Sequence, residues 1–185
     1  MKFQFKCRIC GKCCKHYKII INLVDALQIF HHTRQRFYDT FKLIDINEMQ
    51  VGENYIYNFF KIKNKEYLLS IINNYYDGCV FLKDKKCVIQ EIKPSVCYFY
   101  PIKYDNDLKK FVIEKYDICS GDYDDEFTEW QNLEEKYAYY SENCNWHNDI
   151  VNYWNEHYSQ AADEKDFVIF FYEVLYPLYL DGLKS

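Results

Sequence analysis

The stretch Cys7-Arg8-Ile9-Cys10-Gly11-Lys12-Cys13-Cys14 constrains this chain more than any other, because four cysteines fall within eight residues. Neighbouring side chains diverge, so the adjacent pair Cys13-Cys14 is awkward for a packed core. A tight loop bent at Gly11 can instead aim several sulfurs at one point. That is the geometry a zinc ion or an iron-sulfur cluster needs. Whatever fold forms has to deliver further sulfurs to this loop.

Nine cysteines are present, and with Cys144 set aside they divide into Cys7, Cys10, Cys13, Cys14 and Cys79, Cys87, Cys97, Cys119. Two four-sulfur sets suit zinc as two tetrahedral sites or a sulfur-bridged pair. They equally suit a 4Fe-4S cluster on four of the sulfurs, because thiolates accept zinc and iron-sulfur alike. Cys7-x2-Cys10-x2-Cys13 matches the first three positions of the bacterial ferredoxin run, from which the immediate Cys14 departs. An odd cysteine count leaves one thiol over from any disulfide framework, and Met1 to Cys7 has no apolar leader. We expect a reducing cytoplasm, where clustered cysteines bind metal, with disulfides of the hyperthermophile kind as the alternative.

At 185 residues, 49% hydrophobic and with a formal charge of -5, the chain suffices for a folded domain without covalent staples, and net charge points to no nucleic-acid partner. The longest apolar run, from Phe167 to Leu180, is broken by Glu173 and Pro177 and falls short of the roughly 20 residues a bilayer demands. It reads as a buried helix, and no membrane partner is expected. Five glycines include no Gly-rich turn for a nucleotide or adenosyl cofactor, and the C-x3-C-x2-C spacing of radical adenosylmethionine enzymes is absent.

Residues 1 to 18 carry six basic residues and no acidic one, which either stabilise thiolates or form a solvated loop. Asn22 can cap a helix running to about Phe41, with Asp25 in its first turn. Hairpins are expected for residues 54–63 with 66–72, for Cys79–Leu82 with Cys87–Ile89, and around Asp105-Asn106-Asp107. In the second, Cys79 and Cys87 would face each other across the pair. Pro94 should open a short helical turn that delivers Cys97. From Asp122 to about His157 the pattern reads as a long helix or a broken pair. Residues 117 to 135 hold eight acidic residues and no basic one, either a solvated face or a dock for the basic amino terminus. Asp163 can cap the final helix. Cys144 and His147 share one helical face as a packed thiol and a surface imidazole, while His16 is a candidate outer ligand. The expected fold class is therefore α+β: a hairpin-rich cysteine-cluster domain over 1–121 with a helical extension over 122–185.

The ordered motifs are Cys7-x2-Cys10-Gly11-x-Cys13-Cys14, Leu23-x-Asp25, Gly78-Cys79-Val80-Phe81-Leu82 with Cys87-Val88-Ile89, Lys93-Pro94-x2-Cys97-x3-Pro101, and Cys119-Ser120-Gly121. Together they resemble a cysteine-cluster family of zinc- or iron-chelating proteins with the signature CxxCxxCC, related to flagellin lysine N-methylase. Lys93 and Tyr98 stand where that family usually has Arg and a basic residue. The resemblance implies a metal-binding protein with an iron-sulfur cluster or zinc or iron ions. It further implies a protein partner or substrate if a relative's lysine methylation extends here. A zinc-stabilised interaction module is the remaining alternative.

Overall fold

The computed structural model describes residues 10–49, 57–74, 76–114 and 132–184 in full, and residues 2–6 and 122–129 as backbone. In chain order the first elements are β1 (Lys2–Lys6), α1 (Lys12–His16), β2 (Ile19–Ile20), α2 (Leu23–Thr33), α3 (Phe37–Thr40), β3 (Phe41–Asp45), β4 (Phe60–Ile62) and β5 (Lys65–Ile71). Next come β6 (Asn73–Asn74), β7 (Gly78–Cys79), β8 (Leu82–Lys83), β9 (Lys86–Cys87), α4 (Ser95–Phe99), β10 (Ile102–Asp105), β11 (Lys110–Ile113) and β12 (Asp122–Glu129). The chain closes with α5 (Leu133–His157), α6 (Glu164–Phe170), a π-helical turn (Phe171–Leu175) and α7 (Tyr176–Gly182). The class is α+β, as the hairpin and helix patterns indicate. Two compact units form, one from residues 1–19 and 72–140, the other from 20–71 and 141–185.

The unit of 20–71 and 141–185 is built on β5, which pairs antiparallel with β3 over Phe41↔Ile71 to Asp45↔Tyr67 and with β4 over Phe60↔Tyr67 to Ile62↔Lys65. The hairpin expected for 54–63 with 66–72 forms, with its turn at Lys63-Asn64, one residue earlier than the expected Asn64-Lys65, and residues 54–56 lie outside the described residues. Asn22 caps α2, its side-chain oxygen accepting from the Asp25 amide at 2.8 Å. The single helix expected as far as Phe41 is two helices, because Arg34 takes the left-handed conformation at φ 56° and closes α2. Trp154, Phe37, Phe41, Phe60, Phe167 and Phe171 are fully buried. Their rings pack edge-on, Phe60 to Phe167 at 4.7 Å and Trp154 to Phe167 at 5.3 Å. Each such side chain contributes about 1.5–3 kcal/mol on burial. Polar ties fix α5 to β4: Trp154 Nε1 donates to the Lys61 carbonyl at 2.9 Å, and the Lys61 amide donates to Asn155 Oδ1 at 2.7 Å.

Asp163 caps α6 in a reciprocal capping box with Asp166. The following apolar run is buried on one face only: Phe167, Phe170, Phe171 and Leu175 are covered, whereas Ile169, Val174 and Leu178 are exposed. The ladder widens into the π turn just ahead of Pro177, which has no N–H to continue it.

The unit of 1–19 and 72–140 consists of two-stranded ribbons and short helices. β1 pairs antiparallel with β12, setting Lys2 opposite Glu129 and Lys6 opposite Asp122 in the register. Residues 122–129 were expected to be helical and are a strand. In a helix Asp122, Asp125, Glu126 and Glu129 would repel at three- and four-residue spacing, whereas a strand can lie against the basic amino terminus. β10 and β11 form the expected hairpin, with Asp105 Oδ1 accepting from the amides of Asp107 and Leu108 at 3.0 and 2.9 Å. Ile102, Phe111 and Leu133 form a small apolar cluster ringed by Tyr98, Phe99, Tyr104, Ile113 and Tyr137.

Candidate metal centre

Residues 10–17 form the platform of the site. Gly11, at φ 70°, turns the chain into α1 and cannot be matched cheaply by a residue with a Cβ. The Lys15 amide then bonds the Gly11 carbonyl at 3.2 Å, and the Tyr17 amide bonds the Cys13 carbonyl at 3.1 Å. This one-turn helix sets the sulfurs of Cys13 and Cys14 3.9 Å apart. Cys10, just before it, is exposed.

Three cysteine-bearing segments pack on that platform. The β6–β7 ribbon carries buried Cys79 and reaches α1 through Asn73, whose Nδ2 donates to the carbonyls of Cys14 and Tyr17 at 2.7 and 2.8 Å. The β8–β9 hairpin brings Leu82 against Gly11, where an added Cβ would lie 3.1 Å from Leu82 Cδ1. Leu82 is the register partner of Cys87, which is half-buried. The α4 segment carries half-buried Cys97, and the Tyr100 ring at its end lies 5.7 Å from that of Tyr17.

Cys79 and Cys87 do not face each other across one hairpin, as the sequence suggested. Asp84 and Lys85 both take positive φ, 48° and 63°, so a two-residue turn closes the hairpin early and pairs Cys87 with Leu82, leaving Cys79 to pair with Asn73.

The electrostatics record how closely the sulfurs gather. The Cys13 thiol is pushed far above its usual range, first by its hydrogen bond with Cys14, then by burial, then by repulsion from Cys14 and Cys10. Burial raises Cys79 to about 11, with the charges of Cys87 and Cys13 adding to it and a hydrogen bond to the Phe81 backbone opposing it. Cys13 is therefore within electrostatic reach of Cys10, Cys14 and Cys79, and Cys79 of Cys87. Cys13, Cys14, Cys79 and Cys87 are free thiols. The donors have the character zinc or iron-sulfur requires, although no closed set of three or more His, Cys, Asp or Glu ligands exists among the described residues. Cys7 and Cys119, expected to join them, lie outside the described residues.

Other candidates fall elsewhere. His16 is exposed in the last turn of α1. Asp25 and Cys144 are buried in the other unit. His147, read as a surface residue, is 1% exposed: Nδ1 accepts from the Leu23 amide at 3.2 Å, capping the first turn of α2, and the ring stands 5.2 Å from Tyr57 and 5.6 Å from Phe60. Lys93 and Lys136 hold their ammonium groups 5.5 and 4.1 Å from the centre of the Tyr98 ring. Asn73 escaped sequence reading, though asparagine inside a strand next to a cysteine segment is a faint signal, because strands disfavour it.

An α+β fold with cysteines brought together on neighbouring short elements defines a cysteine-cluster protein. Residues 6–145 match the family model CxxCxxCC, described as "Putative zinc- or iron-chelating domain", and the chain belongs to that family. No curated protein and no solved structure matches it. Among the described residues no helix is long and apolar enough to cross a membrane.

Proposed function

We propose that this chain is a metal-binding protein holding zinc, iron or an iron-sulfur cluster through Cys7, Cys10, Cys13, Cys14, Cys79, Cys87, Cys97 and Cys119. The observation that carries the reading is geometric: the sulfurs of Cys13 and Cys14 lie 3.9 Å apart, and Asn73, the register partner of Cys79, bonds the Cys14 carbonyl within the same unit. Thiols crowded in this way retain their protons, because each thiolate makes its neighbour harder to ionise. A bound cation reverses the balance and deprotonates its thiol ligands outright. Metal uptake then releases protons and stabilises the segments that carry the sulfurs. All eight ligands fall within residues 1–121, and the helices from Leu133 onward carry none of them. A reducing compartment such as the cytoplasm keeps the thiols available.

Protein prepared without oxygen, analysed for metal and by visible absorption, tests this. A brown product with iron and sulfide assigns an iron-sulfur cluster, and a colourless one with stoichiometric zinc assigns a structural site. A folded, metal-free protein that takes up neither sinks the proposal. Cluster-dependent protein modification, of the kind flagellin lysine N-methylase exemplifies, ranks below it. With five glycines in the chain there is no Gly-rich turn for an adenosyl cofactor.

A further inference from the structure

We infer that Asn73, together with Gly78, is a positioning residue of the metal centre, setting Cys13 and Cys14 at a defined distance from Cys79. The inference rests on the metal-binding reading above. Asn73 is the backbone register partner of Cys79, and its side chain donates from one nitrogen to the carbonyls of Cys14 and Tyr17. One residue thus links the backbones of two sulfur-bearing segments that are remote in sequence.

The chemistry of the link is selective. The Cys14 carbonyl lies in the last turn of a five-residue helix and the Tyr17 carbonyl just beyond it, at the end where a helix leaves its carbonyls to outside donors. A helix this short is marginal by itself and takes its placement from outside contacts. An amide NH2 offers two donors, as the two carbonyls require, whereas an isosteric carboxylate offers none and would face two oxygens. Gly78 completes the approach from the register position opposite Asn74. It sits at φ +80°, and a Cβ there would come 2.9 Å from the Cys14 carbonyl oxygen and 3.2 Å from Lys15 Cα. Lys15 Cγ, at 3.0 Å, could yield, but the Cys14 carbonyl and Lys15 Cα are backbone and could not, so β7 reaches α1 only through glycine.

The test is an anaerobic titration of the metal-free, full-length chain with Co(II), whose sulfur-to-metal charge-transfer and d–d bands report ligand number and geometry. Asn73→Asp is expected to weaken cobalt binding by about ten- to a hundredfold, as loss of an outer-shell partner does, and to shift the d–d bands, with helix content unchanged. Asn73→Ser, which keeps one donor, should recover part of the affinity. Gly78→Ala should fall with Asn73→Asp. Asn58→Ala, which removes a side chain bonded to Asn152 in the other unit, should match the wild type. Wild-type affinity and bands in Asn73→Asp overturn this inference and leave the proposed function standing. Should that variant not fold, the same result in Asn73→Ser overturns it. A wild-type chain that takes up no cobalt overturns both.

Discussion

The unit of residues 20–71 and 141–185 rests on rings: Trp154, Phe37, Phe60, Phe167 and Phe171 interlock around a strand of seven residues. The unit of 1–19 and 72–140 carries the candidate ligands on strands of two residues, a five-residue helix at either side, and a small apolar cluster at Ile102, Phe111 and Leu133. Two-stranded ribbons are marginal alone, and short helices nucleate poorly. The difference teaches that one sequence solves the cost of ordering in two ways. Apolar burial offsets chain entropy in one unit, and in the other, on the reading proposed here, ligation of a metal does so.

The sharpest way to break that comparison is to remove the metal. Structural zinc sites bind with about 10 kcal/mol or more of free energy that is also folding free energy. A chelator, or Cys13→Ser or Cys97→Ser, should lower metal content and abolish amide-exchange protection over residues 78–114, while residues 141–157 retain theirs. Simultaneous loss in both units would show that they do not differ as described.

The converse perturbation is Trp154→Ala, which should cost about 3–5 kcal/mol in denaturant unfolding through the cavity it leaves, with the metal content of the folded fraction unchanged.

Acid should separate the units further. Burial lowers the pKa of His147 from 6.5 to about 4, against the opposing hydrogen bond to the Asn58 backbone. The unfolded chain takes up this proton below about pH 6.5 and the folded chain does not, so the stabilisation is complete above that pH and declines as pH falls towards 4, by on the order of 3 kcal/mol. His147→Gln should flatten that slope in a pH series of urea midpoints. The smallest effect belongs to Cys144→Ser: about 1 kcal/mol or less of stability, as a substitution at one packed site that removes no ligand, and no change in metal content.

Much of the local structure was legible because it depends on near neighbours. Asn22 over Asp25, Asp163 over Asp166, and Asp105 over Asp107 and Leu108 are each closed within three residues, and their side chains announce them. The break at Arg34 was not legible, since nothing in Thr33-Arg34-Gln35 demands a left-handed residue. The strand at 122–129 was not legible for a related reason: like charges at three- and four-residue spacing count against a helix, but they do not name the basic β1 as the partner.

By itself the sequence determined the density of cysteines, the thiol chemistry they favour and the α+β class, because residue type and short-range spacing carry those. Only the tertiary structure decided that Cys79 pairs with Asn73 and Cys87 with Leu82, that Asn73 ties Cys79 to Cys14, and that His147 is buried beneath the start of α2. Those outcomes are contacts between segments remote in sequence. Their energies come from shape and hydrogen-bond complementarity that appears only once the chain has closed upon itself.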